Sequence, residues 1–229
     1  MIFLFDPRFW LIVGPFLALA AWCSARVKTT FRRFQNTPVR SGMTGAQAAA
    51  AVARAGGADV TIERVGGFLS DHYDPKSRTL RLSPDVYDGR SISSIAVAAH
   101  EAGHAIQHAH NYAFLNFRSA MVPAALIGSQ AWMPLFFIGL FLNFTGLAML
   151  GVAVFTITVF FQLVTLPVEF DASNRAKAVL ASTGIVSTEE ESLGVKKVLG
   201  AAAMTYVAGA LVAIAHLLYY LMLVSGQND

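Results

Sequence analysis

Three long stretches without a single Asp, Glu, Lys or Arg constrain this chain more than anything else: residues 9–25, 119–168 and 198–228. A hydrocarbon core takes about 20 consecutive apolar residues per helix, so the first and last stretches each hold one crossing. The middle one holds two, split by a turn at residues 143–146. An unbroken backbone ladder is the only open-chain solution inside lipid, which makes these segments helices. With 55% apolar residues against 14% charged among 229 residues, the composition agrees with a membrane protein and excludes an ordinary soluble domain. The expectation is four transmembrane helices.

A signal peptide is the competing reading of the first stretch. The residues before it, Met1-Ile2-Phe3-Leu4-Phe5-Asp6, carry an acid and no base, contrary to that pattern. Trp22 directly before Cys23 argues against a lipoprotein cleavage box. A lone cysteine forms no internal disulfide, in keeping with a reducing compartment.

The positive-inside rule sets orientation. Arg26, Lys28, Arg32, Arg33 and Arg40 follow the first crossing, and Arg118, Arg175, Lys177, Lys196 and Lys197 flank the others. Placing them in the cytoplasm leaves only Arg8 outside among 17 basic residues. The expected division is therefore a transmembrane helix at 1–25, a cytoplasmic domain at 26–118, a transmembrane hairpin at 119–166, a cytoplasmic helical segment at 167–197 and a final transmembrane helix at 198–229. The formal charge of +3, gathered on one membrane face, calls for no nucleic-acid partner. Lipid is the first partner implied, and the composition leaves a membrane-protein partner or a homo-oligomer open.

Local signals fill in the polar parts. Phe31-Arg32-Arg33-Phe34 reads as a headgroup anchor. Thr44 with Gln47 forms a capping box before an alanine-rich helix that stops at Gly56-Gly57. Residues 60–65 alternate like a strand, and Asp74-Pro75-Lys76-Ser77 is a turn between two more, giving a small sheet ending in a hairpin with Leu80 and Leu82 inward and Arg81 outward. Ser91 or Ser93 caps the helix that follows. The run Ser187 to Glu191 is another capping box rather than a site. The fold class is α+β, mostly helical, with a short sheet in the cytoplasmic domain at 26–118.

The capped helix contains His100-Glu101-Ala102-Gly103-His104. Side chains four apart share a helix face, so the two histidines can hold one metal ion, while Glu101 leans to the side of the pair where a water would sit. A catalytic zinc takes three protein ligands and keeps one position open. Glu169, just after the returning hairpin and on the same membrane face, is the expected third ligand. His110 competes for the role, because a metzincin places its third histidine there. That pattern needs glycine where this chain has Gln107. A di-iron site built on Glu101 and His104 would need a second Glu-x-x-His, and the chain has none. Zinc at one per chain is thus the expected cofactor, with Glu101 as general base. His108, Tyr112, Asp171 and Arg175 are candidates for supporting the ligands or the oxyanion, and His72 and His216 are read as ordinary surface and in-helix positions. The activity expected is hydrolysis of peptide bonds in membrane-proximal polypeptides, the alternative being a catalytically silent zinc-binding scaffold.

Taken together, Tyr73-Asp74-Pro75, the helix segment from Ala99 to His108, and Leu166-Pro167-Val168-Glu169-Phe170-Asp171-Ala172-Ser173 resemble the YugP-like family of neutral zinc metallopeptidases of prokaryotic membranes over nearly the full length. The resemblance implies zinc, a membrane-bound peptidase, His100, His104 and Glu169 as ligands and Glu101 as base. A broader similarity is to gluzincins of membrane quality control and CAAX processing, where an Asp four residues after the ligand Glu supports a ligand His. Here that position is Ser173, and Asp171 is placed to pair with Arg175 instead.

Overall fold

The computed structural model describes residues 6–226. The chain is mostly helical with one three-stranded sheet, and it divides into two compact units. The residues weighed as a signal-peptide start, Met1 to Phe5, lie outside the described part, as do the last three of the expected final span.

One unit takes residues 24–116 and 167–204. Within it, α3 (Gly45–Ala55) opens with the expected box: Thr44 Oγ1 accepts from Gln47 N, and Gln47 Oε1 accepts from Thr44 N. Strands β1 (Thr61–Arg64), β2 (His72–Asp74) and β3 (Thr79–Leu82) form a sheet of order β1-β3-β2, with β1 parallel and β2 antiparallel to β3. Leu80 and Leu82 are fully buried, while Arg81 pairs with Asp74 and Glu63 at the surface. Asp74 organises the turn, accepting from Lys76 N and Ser77 Oγ as well. These donors hold its carboxyl well below the usual range, so it remains charged.

A single short turn, α4 (Pro84–Tyr87), leads to α5 (Ile92–Ala109), whose N-cap is Ser91, accepting from Ser94 N. Ile92, Ile95, Ala99, Ala102 and Ile106 recur every three or four residues and are buried, which turns this face of α5 into the core against α3 and the sheet. His100, His104 and His108 lie one turn apart on another face.

The remaining helices are α1 (Pro7–Ile12), α2 (Gly14–Gln35), α6 (Ala113–Phe141), α7 (Thr145–Ser182) and α8 (Glu189–Ser225). Among the described residues α6, α7 and α8 are long and apolar enough to cross a membrane. The first apolar stretch does not make one continuous helix as expected. It breaks at Val13, ahead of Gly14-Pro15, where proline brings no N–H to continue the ladder, and the second half of α2 carries Arg26, Lys28, Arg32 and Arg33. Phe31 is also not a lipid anchor. It is buried in the core, and its carbonyl accepts from Ser93 Oγ.

The turn between α6 and α7 falls where expected, with Asn143 at φ 51°. α7 runs without interruption through Pro167 and ends before Gly184, at φ 69°. α8 starts from a capping box in which Glu191 N bonds Thr188 Oγ1 and the Glu191 carboxylate accepts from Ser187 N and Thr188 N. Glu191 also accepts from Arg40 N, tying the start of α8 to the segment after α2.

The other unit takes residues 117–166 with the described parts of 1–23 and 205–229. Its core stacks Trp132, Phe136, Phe155 and Tyr220 at centroid separations of 4.8 to 6.3 Å. Gly139 and Gly151 let α6 and α7 meet backbone to backbone, since a Cβ at either would strike the other helix's main chain. His216 donates within its own helix to Val212 O, as its reading as an in-helix position anticipates.

Candidate metal centre

α5 brings His100 and His104 to one face, and the Pro167-to-Ser182 part of α7 lays Glu169 against them. Each residue offers one donor atom, and the three atoms lie within 4.8 Å of one another. Glu169 Oε2 is 3.2 Å from His100 Nε2 and 3.7 Å from His104 Nε2. Glu169 is buried, and burial alone would push its carboxyl up. The two imidazoles outweigh that and hold it well below the ordinary glutamate value, so it stays the ionised acceptor that a cation requires. Burial likewise pushes His104 down, but the bond to Glu169 and the charge of Glu101 raise it above its usual value.

Gly103 makes this approach of helices feasible. A Cβ there would lie 2.5 Å from the carbonyl oxygen of Ala172, so the motif's own glycine sits on the backbone of α7.

The far side of each imidazole is also held. Ser173 Oγ lies 3.1 Å from His100 Nδ1. Gln107, fully buried, bonds three ways. Its Nε2 donates to Val168 O and to Asp171 Oδ2, both at 2.8 Å, and its Oε1 faces His104 Nδ1 at 3.0 Å. Both Nε2 partners can only accept, which fixes the amide orientation and makes His104 Nδ1 the donor to Oε1. The lone pair of neutral His104 is then on Nε2, toward Glu169. This is how a neighbouring group prepares a histidine for a metal.

Neither residue was recognised from sequence as a histidine support. Gln107 reads there as a missing turn glycine, and Ser173 as a missing aspartate. The signal for Gln107 was its place three residues after His104 on one helix, where side chains meet.

Glu101 is buried and follows His100 directly. Among the described residues it has no hydrogen-bond partner, and its charge acts on both His104 and Asp71. Asp71 accepts from Ser83 N and Oγ at 2.7 to 3.0 Å. Burial, with Glu101's charge added, raises its carboxyl above the ordinary value.

The other candidates are placed around this centre. Asp171 accepts from Arg175 Nε, the ion pair expected, and reaches His104 only through Gln107. Arg175 also donates to His110 Nδ1 at 3.2 Å and stands 5.5 Å from the Tyr112 ring centroid. His110 thus serves Arg175 and is not among the three clustered donors. His108 bonds the Tyr73 hydroxyl at 2.8 Å, fastening β2 to α5. Burial pushes that phenol up, keeping it protonated. His72 is exposed, with its ring against Ser70 O.

Two imidazole nitrogens and one carboxylate oxygen form a borderline-soft donor set that suits zinc. Known proteins point the same way. The family described as "Putative neutral zinc metallopeptidase" matches residues 9–225. A relative from Bacillus subtilis (strain 168) named "Putative membrane protease YugP" is 45% identical over 214 residues, spanning 93% of this chain and 95% of its own length. No solved structure matches. The family's name implies zinc, and the donor set and its supports fit that metal. By the extent of that match, the chain belongs to the family so described.

Proposed function

We propose that the protein is an integral membrane zinc endopeptidase that hydrolyses peptide bonds of membrane-proximal polypeptides. One Zn²⁺ per chain is held by His100 Nε2, His104 Nε2 and a Glu169 carboxylate oxygen. The observation that carries this reading is the convergence of those three donors within 4.8 Å, from two different helices. Zinc bound there supplies Lewis-acid chemistry, acidifying water toward a pKa of about 7 and polarising a peptide carbonyl.

The chain's own groups do the rest. Glu101 takes the proton of the attacking water on a carboxylate oxygen and then delivers it to the leaving amine nitrogen. Its position next to His100, with no bond to another described residue, supports that role. Ser173 and Gln107 keep the imidazoles turned so that each Nε2 faces Glu169, and Asp171 acts through Gln107 by fixing its amide.

The domain limits proposed are those read from charge: crossings within 1–25, 119–166 and 198–229, and cytoplasmic parts at 26–118 and 167–197. The clustering of basic residues in the latter two supports the cytoplasmic side. The grouping of residues 24–116 with 167–204 in one compact unit is in keeping with a single catalytic part.

The test uses full-length protein in lipid, loaded with zinc. It should hold about one zinc per chain and cut an unfolded model protein. Glu101→Gln should keep the zinc and lose at least about 10²-fold in cleavage rate. A zinc-loaded native chain that cuts nothing, or a Glu101→Gln variant as active as the native, would replace this reading by the scaffold.

A further inference from the structure

A cavity of about 500 Å³ opens in the unit that carries the histidines, yet its lining includes none of the three donors. α7 contributes Phe170, Ser173, Asn174 and Lys177, spaced as one helical face. α8 contributes a matching face through Leu193, Lys197, Gly200 and Met204, with Lys196 beside it. Arg26 of α2 adds a fourth cation.

Two properties of the lining are unusual together. It holds four cations and not one Asp or Glu, and Lys177, Lys196 and Lys197 have no ion-pair partner among the described residues. Apart from Ser173 and Asn174, its other walls are apolar, with Phe170, Leu193, Leu199 and Met204 the largest. A small inorganic anion would use the first property and gain nothing from the second. A molecule with an anionic head and a hydrocarbon tail uses both.

The room is also real at the backbone. A side chain added at Gly200, inside α8 and on the cavity wall, meets nothing within 4 Å. The volume lies in the range that encloses small ligands. Lys196 and Lys197 directly precede the charge-free run that begins at Val198, the position in a sequence where headgroup phosphates are met.

We propose that this cavity binds one anionic phospholipid, with its phosphate held by Lys177, Lys196, Lys197 and Arg26 and its acyl chain laid against Phe170, Leu193 and Met204. The site is additional to the peptidase reading and does not rest on it.

The test measures lipid retained by the full-length protein, by native mass spectrometry from vesicles of equal phosphatidylglycerol and phosphatidylcholine. Each basic group near a headgroup favours an anionic lipid by roughly 5-fold, so the native chain should prefer phosphatidylglycerol by at least about tenfold. The triple variant Lys177→Gln, Lys196→Gln, Lys197→Gln should lose most of that preference, keeping at most the roughly fivefold that Arg26 alone supplies. Gly200→Leu keeps every charge but fills the space, and it should fall as well. Arg32→Gln, Arg33→Gln, Lys76→Gln removes equal charge elsewhere and should keep the preference.

Three results would overturn the proposal. One is a native chain with no preference. Another is a Gly200→Leu variant that binds like the native, which would mean only a diffuse surface field. The last is displacement of the lipid by millimolar inorganic phosphate, which would make this a free-phosphate site.

Discussion

Replacing Gly103 by alanine sets two principles against each other, and the structure says which wins. Intrinsic preference favours alanine in a helix interior by about 1 kcal/mol. The new methyl, however, would stand 2.5 Å from the Ala172 oxygen, 3.0 Å from its carbonyl carbon and 3.2 Å from its Cα. All three atoms are main chain, so no rotamer change makes room. Ordinary contact starts near 3.4 Å, and α5 and α7 must separate locally by about 0.9 Å. Overpacking of this kind costs about 1–3 kcal/mol, at the upper end where backbone must move. The net expectation is a loss of about 1–2 kcal/mol.

The displacement also falls on the donors, because His104 follows Gly103 and Glu169 precedes Ala172 by one helical turn. Such sites tolerate about 0.5 Å, so zinc affinity should drop at least tenfold. Thermal melting of the zinc-free protein and zinc competition with a chelating dye read the two effects. Gly200→Ala, where nothing lies within 4 Å, is the control and should gain about 0.5–1 kcal/mol. If Gly103→Ala gains stability as Gly200→Ala does and binds zinc like the native chain, the close helix contact has been misjudged.

Further expectations follow from neighbouring contacts. Gln107→Leu strips His104 Nδ1, Val168 O and Asp171 of a partner each, and should weaken zinc binding by about 10–100-fold in the same competition assay. Glu169→Ala should abolish stoichiometric zinc in metal analysis, whereas His110→Ala, which removes only an acceptor for Arg175, should not. Burial alone would raise Glu191, but the N–H groups of Arg40, Ser187 and Thr188 hold it below its ordinary value of 4.5. Its stabilising contribution is therefore complete above that pH and lost as pH falls through the folded value. Glu191→Gln should cost about 1–2 kcal/mol at pH 7 in melting experiments, and the gap should close below pH 4.5. Lys76→Cys, exposed on the β2–β3 turn, should be labelled by a membrane-impermeant thiol reagent only from the cytoplasmic face, the resident Cys23 being buried.

What could be read from the residues alone is whatever depends on local spacing. The capping pairs at Thr44 and Thr188, the ends of α7 at Thr145 and Ser182, and the stacking of His100 over His104 all follow from neighbours within a few positions. The nearness of Glu169 to the histidines matches what was expected of a charge-free hairpin leading the chain back to where it left. The supports of the histidines were not legible. Ser173 reaches His100 across the α5–α7 contact, and Gln107, though three residues from His104 on the same helix, has its amide oriented by Val168 and Asp171 of α7; those partners depend on the rotation of one helix against the other, which spacing does not encode. Tyr73 meets His108 through the sheet's position on α5, again a matter of packing, while Asp71 meets Ser83 at the end of the β2–β3 register. Phe31 misled in the opposite direction, since an aromatic residue beside arginines satisfies both a headgroup anchor and a core position. The break at Val13 was written in Gly14-Pro15, but uniform apolarity on both sides concealed it.

The strand order β1-β3-β2 bears on how the protein comes into being. As the chain leaves the ribosome, β1 has no strand to join until residue 82 has emerged, because its partner is the third strand rather than the second. The β2–β3 hairpin closes a short loop and forms first, within about 10 µs, while β1 waits for a longer closure. The helix bearing the histidines emerges only after that, and a nascent chain arrested with residue 82 still inside the ribosome should remain open to proteases at residues 61–64.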